Sequence, residues 1–301
     1  MMFPFFAPSL EMATAGAVVF GMLSATHAWL AWRNKTLVMV MSVYAGLAMT
    51  TGMLIRCVLA TDNSRAPDLT FDAMSILLTG PTSVLAFMLI MTYTRLTWWI
   101  TPPEQRTSAV LWLPPAFQTV AIATPQCIAD SIVFFGSGIL FIKPAPRYVA
   151  LTGAVMEAVT WVWFGGMVAR FVYISRNKWP IMEAKTQKRA QQLGMAVCAS
   201  CVLLVVCAIV RIFEKVDTSI QQDLQVFDPS VTNKRLSLLS TAEWPVYVFE
   251  YLPIAAIMGI MGFYHPGFYL PRRLTGFRLR AKGLIQEDEE KRQSQEVDSA
   301  T

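Results

Sequence analysis

Two carboxylates, Glu243 and Glu250, stand in a run that is otherwise apolar and aromatic, EWPVYVFEYLPIAAIMGIMGFYHPG. An ionised acid at the centre of a membrane helix costs roughly 2.5–3.5 kcal/mol, so such residues need a partner, water or a task. Glu243, Tyr247, Glu250 and Ile254 fall at i, i+4, i+7 and i+11, one stripe on one face of a regular helix. Pro253 frees the Phe249 carbonyl and can bend the helix there. Arg56 and Arg211 are the available counter-charges. The pattern therefore points to a polar cavity shared by Arg56, Glu157, Arg211 and Glu250. There a carboxylate could contact the cationic or protonatable part of a lipid. The same residues also suit an ion-pair network that only fixes helix packing, and sequence does not separate the two.

A second pattern lies at Glu157, Trp161 and Phe164, which share a helix face, with Trp163 beside them. A carboxylate above an aromatic wall fits three readings. It is ordinary aromatic packing, a pocket for a flat or branched lipid, or an acid that protonates an olefin or epoxide while π-faces steady the cation. The catalytic set for that last chemistry is Glu157, Glu250 and Asp130. The ligand-binding set is Arg56, Trp161, Arg211, Glu243, Tyr247 and Glu250.

The elements that must position these groups are membrane helices. The 301 residues are 54% hydrophobic and 15% charged, against about 25% charged in soluble domains. Seven apolar runs, at about 12–32, 37–60, 72–98, 110–134, 149–174, 193–213 and 242–264, are each long enough to cross hydrocarbon. The expected fold is all-α, a seven-helix transmembrane domain over 1–267 with a basic-then-acidic cytoplasmic tail over 268–301. The longest connections are expected at 175–192 and 214–241. With the N-terminus outside, 17 of the 25 Lys and Arg fall on the inner side and 6 outside, among them Arg65, Lys143, Arg147, Lys234 and Arg235. The positive-inside rule then gives an external N-terminus and a cytoplasmic C-terminus. No basic n-region of a cleavable signal precedes the first span. In the tail, RRLTGFRLRAKG should lie on the inner leaflet and the acidic stretch after it in water. On this topology Arg56, Asp130, Glu157, Arg211, Glu214, Glu243 and Glu250 all lie in the outer half, and His27 and His265 at the inner ends of their spans.

Several classes are excluded. No GxxxxGK[ST] is present, which argues against ATP-driven pumping by this chain alone. A nucleic-acid partner has no soluble basic surface to use. No lysine lies within a span to hold retinal, and two histidines are too few for a membrane haem protein. No metal or cofactor is expected. Cys57 and Cys127 fall near the outer ends of their spans, where a disulfide is geometrically possible. Cys198 and Cys201, a CxxC within the sixth span beside Cys207, read as small apolar residues.

Glu243-Trp244, Tyr247-Val248-Phe249-Glu250, Pro253 and His265-Pro266-Gly267 together resemble the last span of the fungal lipid-translocating exporters, the aminocholesterol-resistance (RTA-like) proteins. Gly52 and Arg56, Pro81, Asp130, and Arg211 with Lys215 resemble further family positions. Thr50 and Met53 stand where Glu and Tyr are usual, and span five carries Glu157 in place of the family's Gly-Leu-x-x-Gln. The resemblance covers the whole chain in topology and about 25 residues in detail. It implies a multi-pass protein of the plasma membrane or endoplasmic reticulum of a eukaryote, fungal in type. Its partners would be membrane lipids and an amphipathic or isoprenoid small molecule, handled by binding, translocation or resistance toward sphingoid-base or sterol-like lipids. A lipid-modifying enzyme, such as a terpenoid cyclase using intramembrane acids, is the alternative that the departures at span five keep open.

Overall fold

The computed structural model describes residues 9–61, 68–101, 106, 112–136, 148–177, 184–227 and 243–270. The tail stretches expected on the leaflet and in water lie outside them, as do Arg65, Lys143, Arg147, Lys234 and Arg235. Helix α1 (Leu10–Asn34) starts where the Ser9 hydroxyl accepts from the Met12 amide. It stops at Lys35, whose left-handed backbone (φ 53°) returns its N–H to the last turn. A 3₁₀ turn, Leu37–Met39, leads into α2 (Val40–Thr61). Then follow α3 (Asp68–Ile100), α4 (Pro115–Gly136), α5 (Val149–Asn177) and α6 (Ala184–Phe227). The last span, α7, is built from Trp244–Val246, a π turn Tyr247–Tyr251 and Leu252–Phe263, and a short α8 (Pro266–Tyr269) follows it. Among the described residues there is no strand, and seven helices are long and apolar enough to cross a membrane. The protein is an all-α seven-span membrane bundle.

Neighbours in sequence are neighbours in space from α1 to α6, and α7 closes the ring against α6 and α1. Helix α3 is the most buried span and also touches α5 and α6 across the ring. Its inward residues Leu78, Leu85, Leu89 and Tyr93 meet Phe164, Met167, Leu204 and Ile254 in one continuous core. The outward faces carry apolar side chains such as Trp32, Leu54, Phe117, Val162, Val202 and Phe263, as hydrocarbon requires. Small residues set the closest approaches. A Cβ at Gly153 would lie 2.8 Å from the Val133 amide nitrogen and 2.9 Å from the Ala129 carbonyl, so only glycine lets α5 reach the α4 backbone. A Cβ at Gly52 would lie 2.7 Å from Leu78 Cδ2, which explains the glycine one turn before Arg56.

One expectation needs correction, and the pairing of Cys57 with Cys127, left open by the sequence, is answered. Helix reaches into both expected connections at 175–192 and 214–241: α5 continues to Asn177, and α6, which runs for 44 residues, covers 184–192 and 214–227. Its polar ends, KTQKRAQQ and EKVDTSIQQDLQ, are rich in helix formers and free of Pro and Gly, so the helix continues past its apolar centre. Cys57 and Cys127 are both free. Cys57 lies 3.6 Å from Thr14 Oγ1 of α1, and Cys127 is exposed.

Candidate functional site

The buried charges gather toward the end of the bundle where α1 begins, and they form two centres rather than one. In the first, the Arg56 guanidinium of α2 donates from Nε (3.1 Å) and Nη2 (2.7 Å) to Glu243 Oε1 at the start of α7. Glu243 Oε2 accepts the Ser9 amide at 2.8 Å, which pins the first turn of α1 to the last span. The guanidinium also stands 5.6 Å from the Tyr247 ring centroid.

The second centre is built around Arg211 of α6. Its Nη1 donates to Glu157 Oε1 (3.0 Å) and Oε2 (3.3 Å) on α5. Its Nε and Nη2 donate to Glu250 Oε1 on α7 at 3.2 and 3.0 Å. Nη2 also reaches Thr82 Oγ1 on α3 at 2.6 Å. One guanidinium thus ties four helices, and its planar fork serves two carboxylates at once. Burying one cation between two acids leaves an excess of one negative charge. Asp130 of α4 lies within electrostatic reach of both Glu157 and Arg211. When ionised it adds a second negative charge, and it is held by Gln126 Nε2 at 2.9 Å.

The expected single stripe on α7 is therefore overturned: Glu243 serves Arg56, and Glu250 serves Arg211. The reason is the π turn, in which the Leu252 N–H bonds the Tyr247 carbonyl five residues back. Each residue of an α-helix advances about 100°, so seven would return Glu250 to the face of Glu243. The extra residue absorbed by the π turn leaves the two carboxylates roughly a third of a turn apart. Pro253, which lacks an amide hydrogen, follows directly and makes the wider turn affordable. Arg56 for the same reason does not share a centre with Glu157, Arg211 and Glu250.

Below Glu157 the aromatic wall is present and solid. Trp161, Phe164, Tyr93 and Phe171 are fully buried. Trp161 meets Phe164 edge-on at 6.0 Å, and Tyr93 meets Phe164 at 5.3 Å and Phe171 at 5.9 Å. Trp161 Nε1 and the Tyr251 hydroxyl are buried without a hydrogen-bond partner among the described residues.

Sequence reasoning missed Thr82, Ser83 and Gln126. A signal existed: Thr82 follows Pro81 and Gln126 follows Pro125, each proline lying inside its helix. Polar side chains beside a helix-interrupting proline sit where the backbone is already short of a donor. At the opposite end of the bundle, His27 Nε2 lies 2.9 Å from the Met258 carbonyl. His265 Nδ1 accepts the Gly267 amide at 3.1 Å, so the imidazole caps α8.

A family model described as RTA1 like protein matches residues 41–273. No curated protein and no solved structure matches the chain. The matched stretch begins at α2 and runs past the His-Pro-Gly turn, taking in every side chain of both charge centres. The chain belongs to the RTA1-like protein family.

Proposed function

We propose that this membrane protein binds amphipathic lipids with a cationic or protonatable head, of the sphingoid-base or sterol-like kind, and translocates them or confers resistance to them. One observation carries the reading: among the described residues, the Arg211 centre holds more carboxylate than cation. A buried surplus of acid is costly unless a further cation joins it. Glu250 is the group such a cation would meet, since its side chain keeps 13% of its surface accessible while that of Glu157 keeps 2%. In this reading an ammonium head competes with the Arg211 guanidinium for Glu250, and its tail lies along the apolar faces of α6 and α7.

The outer side is assigned to the end of the bundle where α1 begins, on the distribution of Lys and Arg. The membrane would be the plasma membrane or endoplasmic reticulum of a fungal cell. Tags at residue 2 and residue 301 should report opposite sides, the second cytoplasmic. Both tags on one side would end this assignment.

The cyclase alternative draws support from the ring stack under Glu157. Against it, both oxygens of that carboxylate accept from Arg211, a geometry that suits anchoring more than proton donation. Glu250→Gln tests the binding reading, because the amide preserves shape and much of the hydrogen bonding. The variant should reach the membrane at wild-type levels, yet cells carrying it should tolerate a long-chain base no better than cells without the protein. Wild-type tolerance in that variant would refute a working role for Glu250. Glu157→Gln separates the alternatives: a cyclase loses all turnover of a prenylated substrate, whereas a binder keeps partial function with changed selectivity.

A further inference from the structure

We infer that Asp130 is a proton-exchange site, separate from the Arg211 centre, whose occupancy is linked to the cationic lipid head; the linkage, though not the proton site, rests on the function proposed above. Among the described residues Asp130 takes part in no ion pair. Its contacts are neutral donors: the Gln126 amide on its own helix and the Ser83 hydroxyl on α3. The charged groups that face it are Glu157 from α5 and Arg211 from α6. Arg211 has all three of its nitrogens committed to Glu157, Glu250 and Thr82. Asp130 feels the arginine's charge but accepts no hydrogen bond from it. A carboxylate in a membrane bundle with no cation in contact is neutralised most simply by a proton.

A second observation gives that proton a place. Gln126 is 2% exposed, and among the described residues its Oε1 has no hydrogen-bond partner while its Nε2 sits on Asp130 Oδ1. A carboxylic acid and a primary amide form a two-bond pair: the amide N–H donates to one acid oxygen, and the acid O–H donates to the amide oxygen. Half of that pair is present, and the stranded Oε1 is the acceptor that an acid hydroxyl would take. The step is a simple proton transfer. Water at the nearer membrane face gives a proton to the Asp130 carboxylate, the acid O–H closes on Gln126 Oε1, and the same proton returns to water on ionisation.

The linkage follows from charge. Asp130, Glu157, Glu250 and Arg211 sum to −2 with Asp130 ionised and to −1 with it protonated. A cationic head is held better by the first state, so binding expels the proton and, reciprocally, acid weakens binding.

Two readouts test this. Infrared difference spectra of the purified protein in vesicles, with no added amphiphile, should show a protonated-carboxyl band growing on acidification. Asp130→Asn should remove it, and Gln126→Met should move its midpoint. Identical spectra from wild type and Asp130→Asn would overturn the proton site whatever the lipid results. The second readout uses a long-chain quaternary ammonium amphiphile, whose own charge does not titrate. Its affinity for wild type should fall on acidification by a factor within the usual range of such couplings, roughly 5- to 150-fold, and should be flat with pH in Asp130→Asn. Binding by wild type that is independent of pH would overturn the linkage. Absence of binding at every pH would instead refute the proposed function and leave the infrared result to decide the proton site.

Discussion

Arg211→Gln should be the most damaging single substitution in the chain. It strands Glu157 and Glu250 in the bundle with no cation in contact, and removing one member of a buried ion pair costs about 3–5 kcal/mol. The same change takes the donor from Thr82 Oγ1 and unties four helices at once. The variant should fail to accumulate, or should melt far below wild type when its unfolding is followed in detergent. The combination Arg211→Gln, Glu157→Gln and Glu250→Gln removes the stranded charges and keeps neutral donors and acceptors in place. It should recover most of the lost accumulation and still confer no lipid tolerance. If Arg211→Gln alone accumulated and melted like wild type, the guanidinium would not be holding the centre together.

Arg56→Met should come second, because it takes from Glu243 the guanidinium that pairs with it and leaves the acid to neutral donors such as the Ser9 amide. Here the expected rescue differs. In the double variant Arg56→Met, Glu243→Gln the amide oxygen still accepts from Ser9 and no buried charge remains, an exchange that is often neutral or stabilising for a buried pair. Accumulation and lipid tolerance should both return, since among the described residues the Arg56 centre sets one cation against one acid. Recovered accumulation with tolerance still absent would move Arg56 or Glu243 into the working site. Comparing the two rescues therefore sorts packing from function by a difference in readout.

The seven spans were legible because each must present about 20 apolar residues to hydrocarbon, a requirement that composition alone exposes. Glu157, Arg211 and Glu250 were legible for the converse reason, as charges too costly to leave idle. Their pairing was not. A helical wheel assumes 3.6 residues per turn throughout, and the π turn at Tyr247–Tyr251 breaks that assumption by a single residue. Nothing in Tyr-Val-Phe-Glu-Tyr announces such a turn except the proline that follows. Thr82, Ser83 and Gln126 escaped notice because neutral polar residues are cheap enough in a membrane helix to be common. Only the fold shows which of them face a charge. The extent of α6 was hidden by its polar ends, which read as loop when apolar periodicity is the only guide.

The closure of the ring also bears on how the chain is made. Arg56 and Arg211 lie on helices synthesised early and late, yet the acids Glu243 and Glu250 that each of them holds reside on α7, which is made after both. Until that span inserts, Arg56 has no Glu243 and Ser9 has no carboxylate to bind, so α1 and α2 wait with their final contact missing. A chain that stops after α6 thus lacks both of the acids, Glu243 and Glu250, that clasp these arginines in the finished bundle. Docking of α7 brings Glu243 to Arg56 and to the Ser9 amide, and Glu250 to Arg211, in one event. The seventh helix should therefore complete the packing of the first, second and sixth.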